Sequence, residues 1–239
     1  MIVLGPPNGA EGNVDRILQK RFFPGDKTDG IFVDVVAARP DYLSISALFR
    51  SLGWRILAVE PNPVFCDLHR QKGYEVWQYA CGDHDEDNVD FLLVHSHGAK
   101  YERGEVTYES FSSLAIKESY RALAPDLDTR TIKVDLRRLD ALLQTHAPEI
   151  ERIDILSVDV EGWELEVLRG LSMQRYTPKV VVVENLLNLK EYRRFMTARG
   201  YPLWKRIPPN DVYVRPDLLG GIERCFLSAF GRFLEGKET

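Results

Sequence analysis

The chain has 239 residues, 44% of them apolar and 28% charged, which suits one large α/β domain or, less well, two small ones. Its net charge of −5 argues against a nucleic-acid partner, which needs a basic footprint. No apolar run approaches the ~18 residues of a membrane span, and MIVLGPPNG is too short and turns polar too soon for a signal peptide. Cys66, Cys81 and Cys225 form no CxxC pair and are odd in number, so reduced thiols and a cytoplasmic location are expected.

Residues 1–29 read as an arm: a Gly- and Pro-rich start, then a helix over Val14–Phe23 that Asn13 can cap and Pro24-Gly25 closes. Ile31–Val35 is short, apolar and β-branched, as a doubly buried strand should be. Ile45, Leu48, Phe49 and Leu52 recur at helical spacing, behind Asp41 or Ser44 as cap and ahead of Gly53 as stop. Arg55–Val59 is the next strand, with Glu60 at its tip. This is a βαβ unit, and such sheets bind ligands outside the carboxyl ends of their strands. A carboxylate ending the second strand suits a ribose diol, because it accepts two hydrogen bonds. The loop Val35–Pro40 has no glycine, which disfavours a pyrophosphate and leaves room for a nucleoside without one.

Beyond Glu60, Asn62 and Pro63 open a helix that Gly73 ends, and Tyr74–Ala80 reads as a third strand followed by the turn Cys81-Gly82-Asp83. Asp83, Asp85 and Asp87 imitate a calcium loop, but Asn88 replaces its glycine and Val94 its glutamate, so the stretch reads as a solvated turn. Val89–Val94 is a strand. In residues 95–128 the periodicity dissolves, as in a lid-like insertion; His95 and His97 would share a face there without a third metal ligand. Thr131–Val134 is a strand, Leu136–His146 a helix, Ile153–Val158 a strand, Asp159-Val160-Glu161-Gly162 a turn and Trp163–Leu171 a helix. Lys179–Val183 ends in Glu184-Asn185, Leu189–Arg199 is a helix, and Tyr201–Ile207 pairs with Val212–Arg215. In the tail, 217–239, the stripe Ile222, Phe226, Phe230, Phe233 marks a helix that packs on its own domain or on a second copy in a homodimer.

Acids therefore stand at many strand ends: Asp34, Glu60, Asp83, Asp159 with Glu161, and Glu184. Some can serve as helix caps. Two carboxylates as close as Asp159 and Glu161 raise one another's pKa and suit acid/base work or metal binding.

The segments VDVVAARPDYLS, RSLGWRILAVEPNP, YACGD, IDILSVDVEGWELEVLRGL and PKVVVVEN resemble, in order and spacing, the FkbM-type family of S-adenosylmethionine-dependent methyltransferases. The resemblance implies an α/β class I methyltransferase fold: a Rossmann-like, doubly wound, mostly parallel seven-stranded sheet with a reversed last strand, in one domain. It implies O-methylation of a hydroxyl on a sugar or natural-product small molecule. Asp34, Val36, Ala37 and Pro40 would form the first cofactor motif, and Glu60 would hold the ribose with Asn62 nearby. Ala80, Cys81 and Asp83 would border the adenine, and Asp159 and Glu161 would face methyl group and acceptor, Glu161 as base. Asp159 is alternatively a ligand of the cofactor's amino group or of a divalent metal shared with Glu184, which the sequence leaves undecided. The family's VDVGA pattern has glycine where Val36 stands, and a β-branched residue stiffens that turn. The alternatives are a non-catalytic binding or assembly protein on the same fold and an NAD-dependent oxidoreductase, which shares the βαβ unit but lacks its glycine fingerprint.

Overall fold

A strand between two helical layers must be apolar on both faces, and alternate residues then feed separate cores. The computed structural model describes residues 9–25, 27–95, 100–101, 106–107, 112–115, 128–221 and 223. Along the chain stand α1 (Val14–Phe22), β1 (Ile31–Val35), α2 (Ile45–Ser51), β2 (Arg55–Val59), α3 (Pro63–Gln71), β3 (Val76–Trp77), β4 (Ala80–Gly82) and β5 (Glu86–His95). Then come β6 (Lys100–Tyr101), β7 (Val106–Thr107), β8 (Asp128–Arg138), α4 (Leu139–His146), β9 (Ile155–Val158), α5 (Glu164–Arg169) and α6 (Met173–Tyr176). The series closes with β10 (Val180–Glu184), α7 (Lys190–Thr197), β11 (Leu203–Ile207) and β12 (Asn210–Val214).

The main sheet has seven strands in the order β11-β12-β10-β9-β1-β2-β3. β3, β2, β1, β9 and β10 are parallel, and β12 is antiparallel to both of its neighbours, so it alone is reversed. This is the class I methyltransferase arrangement that the sequence resemblance implies. One core takes Val33, Val35, Leu57, Leu156, Val158, Val181 and Val183 from the sheet and packs them on α4, α5, α6 and α7. The other takes Phe32, Ile56, Ile155, Val180 and Val182 and packs them on Val14 and Leu18 of α1 and Phe49 of α2.

The expected third strand, Tyr74–Ala80, is two strands. Tyr79 donates its amide to the Trp77 carbonyl, a tight turn that ends the ladder with β2. Ala80–Gly82 then joins a second sheet, β4-β8-β5, with its own small core of Ala80, Phe91, Leu93, Val134 and Leu136. The helix expected from Leu136 starts at Leu139, because Leu136–Arg138 continue β8 and pair with β4. Asn62 caps α3 as expected, accepting from the Val64 amide at 3.0 Å. Cys66 and Cys81 are buried free thiols; Cys225 lies outside the described residues. So do most of the 95–128 insertion, including His97, and the apolar stripe of the tail. Among the described residues no helix is long and apolar enough to cross a membrane.

α5 lies close against β4. A Cβ on Gly170 would meet the Gly82 carbonyl oxygen at 2.1 Å, and that oxygen belongs to backbone that must move as a unit. Gly170→Ala is expected to lower the unfolding free energy by about 1–3 kcal/mol, read by urea denaturation. An unchanged midpoint would mean that α5 is free to shift away from β4.

Candidate active site

The carboxyl ends of β1, β2, β9 and β10 form one rim. At β1, Asp34 is buried and its carboxyl takes a hydrogen bond from Ser46; burial raises its pKa against that bond and the Arg50 charge. The chain then turns through Val36 at φ +61° and Ala38 at φ +41°, while the Val36 and Ala37 amides both donate to the Val59 carbonyl. Glu60 holds this turn: one carboxylate oxygen accepts from Ala38 N–H at 2.9 Å and the other from Asn62 N–H at 2.7 Å. Burial nevertheless pushes the Glu60 carboxyl up to about 7. His69 reaches the Ala38 carbonyl at 3.0 Å, so the turn is braced from α3 as well.

The second half of the rim is more acidic. After β9, Glu161 has φ +55° and Gly162 φ +97°. This sharp turn aims the Val160 and Gly162 amides at one oxygen of Glu164, at 3.1 and 2.9 Å. The other Glu164 oxygen accepts from the Tyr192 hydroxyl at 2.6 Å. Asp159, partly exposed, shares a hydrogen bond with Glu184, which requires one proton between them. Burial, and then the charges of Glu164, Glu11 and Asp34, push Asp159 up to about 8. Burial and the neighbouring Asp159 charge raise Glu161 and Glu184 well above the usual carboxylate range. Glu161 is 6% exposed, and its Oε2 has no hydrogen-bond partner among the described residues.

Between the two halves opens a small apolar cleft, lined by Val36, Pro61, Ala80, Cys81, Val160 and Trp163. Ser112–Leu114 form its cover. This short stretch is tied down on two sides. Ser113 exchanges both backbone hydrogen bonds with Leu92, at 2.8 and 3.1 Å, and the Trp163 indole N–H donates to the Ala115 carbonyl at 2.9 Å.

A family model described as the methyltransferase FkbM domain matches residues 34–203, which span the whole rim. The chain belongs to the FkbM methyltransferase family. It is 28% identical over 172 residues to Methyltransferase 1 of Beauveria bassiana (strain ARSEF 2860), covering 65% of this chain and 67% of that protein. It is 43% identical over 60 residues to Methyltransferase sdnD of Sordaria araneosa, covering 22% and 23%. A crystal structure of methyltransferase FkbM from Methylobacillus flagellatus KT aligns at 14% identity and TM-score 0.45 over 78% of this chain; the alignment spans 44% of that larger chain.

In this FkbM-family chain the structure brings Val36, Ala80 and Cys81 into the cleft and sets Asp34, Glu60, Asn62, Asp159 and Glu161 along its rim. Pro40 stands further along the turn, where its carbonyl accepts from Arg50. Asp83 is turned away, bonded to His84 at 2.8 Å on the surface. Asp85 and Asp87 bond the Arg138 amide and the Arg137 guanidinium, so the calcium-like stretch ties the β5–β8 hairpin together. Sequence reasoning passed over Glu164, Tyr192, Pro61, Trp163 and the Ser112–Leu114 cover. The third acid of SVDVEGWE was a usable signal for Glu164; Tyr192 and the cover carry none, since long-range packing alone brings them here.

The raised carboxyls set a pH dependence. Each binds its proton more tightly folded than unfolded, so between the ordinary and the raised pKa the native state holds more protons and stability falls with rising pH. For Glu60 and Asp159 that window runs from their ordinary values of 4.5 and 3.8 to about 7 and about 8. The melting temperature is expected to be highest near the acid end of this range and to drop as the pH rises through it. Asp159→Asn should flatten the drop, and an equally steep curve in that variant would place the titration elsewhere.

Val36 is a β-branched residue in the left-handed region, which costs of order 1–3 kcal/mol. Val36→Gly is therefore expected to raise the unfolding free energy by about 0.5–1 kcal/mol net of glycine's backbone entropy. A lower midpoint in calorimetry would show that the packing of Val36 against the core outweighs the strain.

Proposed function

We propose that this methyltransferase uses S-adenosylmethionine to methylate a hydroxyl oxygen on a sugar or natural-product small molecule. The observation that carries the reading is the juxtaposition of an apolar cleft at the β1/β2 end of the rim with buried, proton-holding carboxyls at the β9/β10 end. The residues present fit the cofactor. Pro61, Ala80, Cys81 and Val160 offer apolar contact to an adenine, and Asp83, bonded to His84, takes no part in it. Glu60 stands at the β2 tip; each of its oxygens accepts one backbone amide and keeps a lone pair for a ribose hydroxyl. Asp34, Val36, Ala37 and Pro40 shape the turn around the remainder, and Asn62 fixes Glu60 through its amide. When bound, the cofactor supplies a methyl on a sulfonium sulfur, whose S–C bond breaks as the new O–C bond forms.

The protein's part is alignment and proton removal. Glu161 is the base: its unpartnered Oε2 is the acceptor available to a substrate hydroxyl, and its raised pKa brings it toward the pH at which a carboxyl both takes and releases a proton. Glu164 and Tyr192 hold the turn that presents it. We read the chain as one methyltransferase domain with an arm at 1–29, an insertion at 95–128 covering the acceptor side, and a tail at 217–239 for its own domain or a second copy.

The test separates binding from chemistry. Glu60→Ala is expected to weaken S-adenosylmethionine binding by roughly 1.5–3 kcal/mol per lost hydrogen bond, read by calorimetry. Glu161→Gln should leave that binding intact and slow methyl transfer about 10²–10⁴-fold, read as S-adenosylhomocysteine release with a panel of hydroxylated acceptors. Unchanged cofactor affinity in the first variant would move the ribose elsewhere. Near-normal turnover in the second would remove Glu161 from the base role. Wild-type protein that binds no S-adenosylmethionine would favour the non-catalytic binding role.

A further inference from the structure

We propose that His69 is a positioning residue of the ligand-binding turn: it clamps the Ala38 backbone and, through it, sets the Glu60 carboxylate in the arrangement a ribose requires. That use rests on the S-adenosylmethionine reading; the clamp itself does not. The turn needs outside support. It holds no glycine, yet Val36 and Ala38 both lie in the left-handed region, at φ +61° and φ +41°. Such conformations persist at non-glycine residues only where the surroundings over-determine them. Ala38 is gripped from both sides. Its amide donates to Glu60 Oε2 at 2.9 Å, and its carbonyl meets His69 Nε2 at 3.0 Å. A carbonyl only accepts, so Nε2 carries the ring proton.

Two further observations point to His69. The first is the face of α3 on which it lies. Asn62, Cys66 and His69 follow one another at four and three residues, one stripe of the helix and its cap. All three are buried, and all three bond Glu60 or the loop it holds. The Asn62 amide donates to Glu60 Oε1 at 2.7 Å, the Cys66 thiol to the Glu60 carbonyl at 3.0 Å, and His69 to the Ala38 carbonyl. Burial pushes the Cys66 thiol up to about 12, so it keeps the proton it donates. The second observation is cost. His69 is fully buried, and its Nδ1 has no hydrogen-bond partner among the described residues. An orphaned buried lone pair is unfavourable, and an apolar side chain would fill the same space without it. Packing alone does not call for a histidine; the bond from Nε2 does. The groups that face the ring are the Arg50 guanidinium, the Asp41 carboxylate and the Tyr74 ring, edge-on at 6.5 Å. Burial lowers the pKa of His69, so the ring is neutral and keeps the tautomer that the Ala38 carbonyl selects.

The experiment compares His69→Ala, His69→Gln and His69→Asn in the full chain. A glutamine Nε2 stands near the place of the histidine Nε2 and can donate to the Ala38 carbonyl; an asparagine Nδ2 stands near that of Nδ1 and cannot. Amide hydrogen exchange, read by nuclear magnetic resonance, needs no ligand. Leu57, at the centre of the sheet, reports global stability, so the effect is read as exchange of Ala38 relative to Leu57. That ratio is expected to rise about 3–10-fold in the alanine and asparagine variants and to return toward wild type with glutamine. The S-adenosylmethionine dissociation constant, read by calorimetry, should rise about 3–10-fold in His69→Ala and recover in His69→Gln, while kcat at saturating cofactor stays near wild type. In a Glu60→Ala background His69→Ala should add little, because Glu60 is the group through which it acts. Ala38 exchange that tracks Leu57 in every variant would overturn the clamp. A loosened Ala38 with unchanged cofactor affinity, or effects that simply add to those of Glu60→Ala, would overturn the positioning role. Wild-type protein that binds no S-adenosylmethionine would instead sink the functional reading, with exchange at Ala38 still deciding the clamp.

Discussion

The rim of acids depends on one side chain, Glu164. Its carboxyl gathers the Val160 and Gly162 amides on one oxygen and the Tyr192 hydroxyl on the other. Those bonds help hold Glu161 at φ +55°, a conformation that a non-glycine residue adopts only when its surroundings impose it. Tyr192 comes from α7, so the clamp also locks that helix to the end of β9. The geometry of the acids is thus a consequence of helix packing, and the packing is in turn sealed by an acid.

The two ends of β9 show what burial asks of a carboxylate. At the start, Asp154 accepts from the Ile31 amide and from Lys179, stitching β1, β9 and β10 together. At the finish, Asp159 shares a hydrogen bond with another acid, Glu184, and the charges of Asp159 and Glu161 both act on Glu184. Desolvation favours the neutral form in the second case. A protein has no structural need for that arrangement, since apolar residues would fill the space at less cost. Proton-holding carboxyls beside an apolar cleft are what acid/base or cation chemistry requires.

Glu60 plays a different part. It stands where a ribose-binding acid of a βαβ unit belongs, yet its two oxygens are engaged by the backbone on both sides of the cleft entrance. It therefore organises the loop through Ala38. The strained Val36 lies within that same loop, where glycine would take the conformation freely. The turn takes a left-handed conformation at a residue poorly suited to it.

The sequence by itself determined the layers and their order. Val-rich runs such as Lys179–Val183 have the length and branching of doubly buried strands, and each is separated from the next by a helical period, which leaves few topologies open. Asp34, Glu60, Asp159 and Glu161 were legible as site candidates because their strand ends are local features. The tertiary structure alone decided the rest. Asp159 and Glu184 share a proton because β9 and β10 are neighbours in register, a fact of pairing between distant segments. Tyr192 reaches Glu164 across a helix interface, and Ser113 covers the cleft through a bridge to Leu92. Even the split of Tyr74–Ala80 into two sheets was settled at long range, by competition between β2 and β8 for its two ends. Periodicity reports which face of an element is apolar; it carries no information about which partner, many residues away, will cover that face.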